Sequence, residues 1–190
     1  TEECPRGTTA EKLAALPAAF GAIQADFAEA LEGQSYPPLH TLAHAPPMCD
    51  GAAMALVGGA AIPAQPRARI LAFMERGGDP AASLTAGFAA MDAALARAGL
   101  SLTDMDRVEF MEAFAVTMAK FIRDRAPDME RVNVGGGHLA KGHPMGASGA
   151  ILLSTLLDAL DACEGRYGLV VTTGAGGVGT AQVHREGVEG

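Results

Sequence analysis

The 190-residue chain has no tryptophan, two tyrosines and three cysteines, and each shortage narrows what the protein can do. With so few aromatic rings, stacking on sugars or bases has little to rest on. Cys4, Cys49 and Cys163 are odd in number, widely spaced and never part of a Cys-x-x-Cys pair. They therefore outline neither a zinc site nor a disulfide framework, and they suit a reducing cytoplasm. Basic residues are outnumbered: 14 Lys and Arg against 22 Asp and Glu give a net charge of −8. No cationic stripe is available to neutralise phosphates, so no nucleic-acid partner is expected. No uninterrupted apolar run approaches the length of a bilayer, and no charged-then-apolar signal opens the chain, so no membrane span is expected. An initiator Met is absent as well; Thr1 in its place reads as a processed start or a fragment boundary. What the chain does have is 49% hydrophobic residues, enough to bury a substantial core within one domain.

Helical and extended patterns alternate. Residues 8–16 predict a short helix capped by Thr8 or Thr9 and ended by Pro17. Residues 24–50, broken by Pro37-Pro38 and Pro46-Pro47, read as loop with one short helix, and Gly51–Val57 as a strand or a helix start. Arg67–Arg76 predicts a strand. Residues 86–98 predict a helix with Phe88, Met91, Leu95 and Ala98 at three- and four-residue spacing, closed by Gly99. Asp106–Phe110 reads as a brief strand and Glu112–Arg125 as a helix carrying Phe114, Met118, Phe121 and Ile122. Gly146–Leu160 is apolar on most sides, which predicts a buried helix. Gly168–Thr172 and Val178–His184 are strands flanking a glycine turn. The alternation predicts a mixed α/β layered domain.

Chemistry concentrates in Gly135–Gly149, a run dense in glycine that carries His138 and His143 just before the apolar stretch Ile151–Leu157. Glycine is disfavoured inside helices and strands, so such density marks backbone that turns tightly or approaches another group closely. A histidine held there titrates near neutrality and both donates and accepts protons. The turn Gly174–Gly179 also satisfies Gly-x-Gly-x-x-Gly. A dinucleotide site needs a helix after that turn and an acidic residue about twenty positions on. Eleven residues follow Gly179 here, and they read as strand.

Four segments in this order resemble the C-terminal half of a thiolase: Asp50-Gly51-Ala52-Ala53, Asp106 to Ala115, Asn133 to Gly149 with its Gly-His-Pro at 142–144, and Thr172 to Gly179. The resemblance spans nearly the whole chain. It implies a thiolase-like βαβαβαββ domain with a mixed five-stranded sheet and a buried central helix, residues 1–60 carrying the junction to the other half. It implies no cofactor, a coenzyme A thioester entering as substrate, and no metal. The nucleophilic cysteine would lie on a partner chain carrying the N-terminal half, because none of the three cysteines sits in a Cys-x-Ser-Gly setting. Thiolases assemble as dimers or tetramers, and the same is expected here.

By the same resemblance His143 is an oxyanion donor to the reacting thioester, and the Ala175–Gly176 turn presents backbone N–H groups, Ala175 above all, to the acyl-cysteine oxyanion. Glu112 takes a supporting role, orienting nearby backbone or His143. His138, where the family has a small residue, and Lys141 are candidate substrate contacts. Two positions depart from the pattern. Thr173 stands where the family has its acid/base cysteine, and a hydroxyl ionises far above the useful range. Met111 stands where the family has an asparagine, and a thioether donates no hydrogen bond. Two readings follow: a subunit of an enzyme that transfers acyl groups between a 3-oxoacyl-CoA and CoA, or a degenerate, non-catalytic subunit of an acyl-CoA-processing complex.

Overall fold

In the computed structural model, which describes residues 4, 7–19, 21–29, 32–59, 61 and 65–187, one mixed sheet carries the domain. Its strands are β1 (Ala68–Gly77), β2 (Arg107–Phe110), β3 (Tyr167–Gly174) and β4 (Val178–Glu186), in the order β1-β4-β3-β2. β2 runs parallel to β3 with Phe110 opposite Val171, whereas β4 is antiparallel to both β3 and β1. β1 carries a bulge between Ile70 and Ala72. The strands predicted around residues 67–76, 106–110, 168–172 and 178–184 form, most of them longer or shifted by a residue or two.

Two helical layers flank the sheet. On one face α2 (Ala86–Ala98) buries Phe88, Met91, Ala94 and Leu95 against Val108, Phe110, Leu169, Val171, Ala181 and Val183. It ends at Gly99 in the left-handed conformation, the predicted cap. Phe110 stacks on Phe121 of α3 (Ala115–Arg125) at 4.3 Å between ring centroids. On the other face α5 (Ser148–Cys163) sets Leu152, Leu156 and Leu160 against Met111, Ala113 and Val170. Two short helices, α1 (Ala10–Ala14, capped by Thr9) and α4 (His138–Lys141), lie outside this frame, and residues 21–27 and 42–44 form 3₁₀ turns.

Five expectations need correcting. The sheet has four described strands, not five. The position beside β2 is held by a single bridge from Val108 to Val132, after which Asn133 enters the left-handed region at φ 46° and a strand cannot continue. The apolar run Gly51–Val57 is neither strand nor helix: Met54 is 97% and Leu56 87% exposed, since nothing described here offers it an edge or a face. Helix α3 starts at Ala115, not Glu112, because Glu112 is drawn into buried hydrogen bonds described below. Helix α5 is covered on one side only; its i, i+4 stripe of Ser148, Leu152, Leu156 and Leu160 is buried and the other side is not. The stretch Met145–Cys163 is long and apolar enough to cross a membrane, with mean hydropathy 1.3, contrary to the expectation of no such run. Its leucine stripe packs on the sheet as the core helix of a layered domain does.

Candidate active site

The glycine–histidine run folds into a shelf at the N-terminus of α5, and residues 47–51 brace it. The His143 N–H donates to the Pro47 carbonyl (2.8 Å), and Met48 bridges His143 in parallel fashion. Gly51 lies so close that a Cβ there would fall 2.8 Å from Pro144. Two motifs far apart in sequence therefore meet, Asp-Gly-Ala-Ala against Gly-His-Pro. Gly142 adopts φ 102°, and an added Cβ would lie 2.7 Å from Cys49 Sγ and 3.3 Å from Cys4 Sγ. The chain thus needs glycine directly before the histidine twice over.

His143 Nδ1 lies 2.8 Å from Ser148 Oγ, a hydroxyl almost wholly buried in the first turn of α5. The His138 ring faces His143 at 4.9 Å between centroids, the planes inclined by 47°. His138 is 5% exposed, and neither ring nitrogen has a hydrogen-bond partner. Burial lowers the pKa of both imidazoles, that of His138 to about 4 with a further contribution from His143. At neutral pH the pair is uncharged.

Beneath the shelf, Glu112 is buried. Its carboxylate accepts from Asn133 Nδ2 (2.8 Å) and from the Leu139 N–H (3.0 Å). A Cβ at Gly137 would fall inside that carboxylate, so the Gly137–Leu139 backbone is pressed directly onto Glu112. Asn133 holds this carboxylate in place and was not among the residues singled out in the sequence. Its side-chain amide also donates to Phe110 O (2.9 Å) and accepts from Phe110 N (2.8 Å), meeting both backbone groups of the last β2 residue as a neighbouring strand would. Ser148 and Glu109 were passed over too. Both lie inside segments that carry the family resemblance, but neither residue type by itself announces a role there.

Glu109 is 1% exposed and its Oε1 has no partner. Burial lifts its carboxyl to about 7; Lys141 acts against that rise and the Glu112 charge adds to it. Lys141 lays its side chain over Gly135 and Gly136. A carboxyl raised on folding contributes stability below its unfolded pKa, lost as pH climbs through about 7. Glu109→Gln is therefore expected to match the parent near pH 5 and to melt on the order of 5 °C higher at pH 8. Parallel melting curves across that range would refute this account.

Thr173 sits elsewhere. Its side chain lies on the α2 face of the sheet, 2.5 Å from where a Gly87 Cβ would be, and its hydroxyl is buried without a hydrogen-bond partner. Thr172 is the residue on the α5 face. Its methyl is 3.7 Å from a Cβ built at Gly149, and its hydroxyl pairs with that of Thr180 at 2.7 Å. Met111 is buried in the apolar cluster under α5. Ala175 and Gly176 are exposed at the β3–β4 turn, where the Gly176 N–H donates to Ser83 Oγ (3.2 Å).

A glycine-bound imidazole steadied by a helix-start serine, a buried carboxylate holding its loop, and a glycine turn between two sheet strands thus lie together in one α/β domain. Residues 64–186 match the thiolase C-terminal domain, and the chain belongs to the thiolase family. It is 43% identical over 119 residues to the steroid 3-ketoacyl-CoA thiolase FadA6 of Mycobacterium tuberculosis, covering 63% of this chain and 29% of that protein. It is 36% identical over 188 residues to an acetyl-CoA acetyltransferase of Allochromatium vinosum, covering 95% and 43%. The acetyl-CoA acetyltransferase of Escherichia coli is 42% identical over 118 residues, covering 62% and 30%. The chain thus spans less than half the length of these relatives.

Proposed function

We propose that this chain is the C-terminal half, or a separate C-terminal subunit, of a thiolase-like enzyme acting on a 3-oxoacyl-CoA, with the nucleophilic cysteine supplied by the N-terminal half on another chain. The observation that carries the reading is the His143–Ser148 contact in a glycine loop. The Ser148 hydroxyl donates to Nδ1, the ring proton then resides on Nε2, and Nε2–H becomes a fixed donor for a thioester oxygen. In the cleavage direction the cysteine thiolate adds to the 3-oxo carbon and the C2–C3 bond breaks. The electron pair leaves as the enolate of acetyl-CoA, whose oxygen His143 holds and whose α-carbon takes up a proton, made good by the one the second CoA thiol gives up in the next step. The acyl-cysteine is then attacked by the thiol of a second CoA, its oxyanion facing the Ala175 N–H, which returns the cysteine and releases acyl-CoA. No cofactor enters these steps.

The test is to assemble the chain with a polypeptide bearing Cys-x-Ser-Gly and to follow CoA-dependent cleavage of several 3-oxoacyl-CoAs, with mass spectrometry of the acyl-cysteine. Acylation of that cysteine and turnover are expected; their absence would overturn the reading. The orphaned Thr173 hydroxyl and the Met111 thioether favour a second reading, a non-catalytic thiolase-like subunit. Thr173→Cys together with Met111→Asn separates the two, because activity gained from none marks a degenerate site, whereas robust turnover already present in the parent excludes degeneracy.

A further inference from the structure

We infer that His138 is the second hydrogen-bond donor of the thioester-oxygen site built around His143, a role that rests on the thiolase reading above. An enolate or tetrahedral oxyanion is stabilised by two convergent donors held in place before the reaction. His143 provides one. Met111 has no donor to give. Among the described residues, His138 alone leaves two side-chain atoms buried without a partner. A buried polar group with no partner costs about 1–3 kcal/mol and calls for an explanation, a catalytic role among them.

The backbone that carries this ring is held on both sides. Gly137 is seated on the Glu112 carboxylate and the Leu139 N–H is bonded to it. The ring itself faces His143 at 4.9 Å, a spacing at which two imidazole N–H groups can reach one oxygen between them. Because burial keeps the ring neutral at physiological pH, it carries a single N–H and presents it without a charge, as an electrophilic imidazole does. A purely structural imidazole in this position would be expected to spend at least one nitrogen on the protein; this one spends neither.

The test compares two replacements in the assembled enzyme. His138→Phe keeps the ring volume and removes the donor, whereas His138→Gln keeps an N–H at similar reach. The expected result is a fall in kcat of about 100-fold for the phenylalanine variant with KM within about threefold, and recovery of about tenfold or more in the glutamine variant. Acylation of the nucleophilic cysteine by acetyl-CoA is measured alongside, and circular dichroism confirms that both variants fold. If the parent acylates but His138→Phe turns over within threefold of it, or the glutamine variant is no better than phenylalanine, the donor role is overturned and the thiolase reading stands. If the parent forms no acyl-cysteine, both fall together.

Discussion

Replacing His143 by alanine is expected to lower the turnover of a 3-oxoacyl-CoA about 10²–10³-fold with KM little changed, the loss typical of one preorganised oxyanion donor. On the proposed role the side chain makes a contact that strengthens in the transition state. Its backbone is tied to Pro47 and its Nδ1 to Ser148, so Nε2 is the atom left to act. A group used only to bind substrate would raise KM and spare kcat. Ser148→Ala is expected to reduce kcat by a smaller factor in the same direction, since the ring then loses its preferred tautomer but keeps its place. The measurement is kcat and KM for each variant in the assembled enzyme. Turnover of His143→Ala within threefold of the parent would remove the imidazole from the mechanism.

The second large effect is expected at Gly137. Alanine there would drive a methyl group into the Glu112 carboxylate, which is held in place by Asn133 and Leu139. Either the loop lifts or the carboxylate abandons buried partners, and each route costs about 1–3 kcal/mol. We expect Gly137→Ala to destabilise the fold by about 3 kcal/mol, a fall in Tm of roughly 6–12 °C for a chain of this size. Glu112→Ala alone should also destabilise, by stranding the Asn133 amide and the Leu139 N–H. Together the two should cost less than the sum of the single changes, because the second removes what the first collides with. Strict additivity in urea unfolding would show that the collision is relieved by other means.

Much of the fold was legible from periodicity. The 3.6-residue spacing of Phe88, Met91 and Leu95 and the cap at Gly99 placed α2 to the residue, and the strands expected at Asp106–Phe110 and Gly168–Thr172 became adjacent parallel strands. These features depend on local chemistry: which faces are apolar, and where the chain must turn. The spacing misled at Glu112–Phe114, where helical periodicity continues N-terminal to the helix itself. A buried hydrogen-bond network outweighs propensity there, and the partners of Glu112 lie more than twenty residues away in sequence.

The sequence by itself determined the family, the glycine loop and the identity of His143, because tight turns demand glycine and a titratable ring beside them is conspicuous in any context. Only the tertiary structure decided what the loop is made of. It brought Ser148 to Nδ1, turned His138 onto His143 with both nitrogens unspent, recruited Asn133 as a false strand edge, and placed Thr173 on the opposite face of the sheet from Thr172. The physical reason is alternation: along a strand one position decides the face of the sheet. Which neighbours wait on that face is fixed by helices packed from distant parts of the chain.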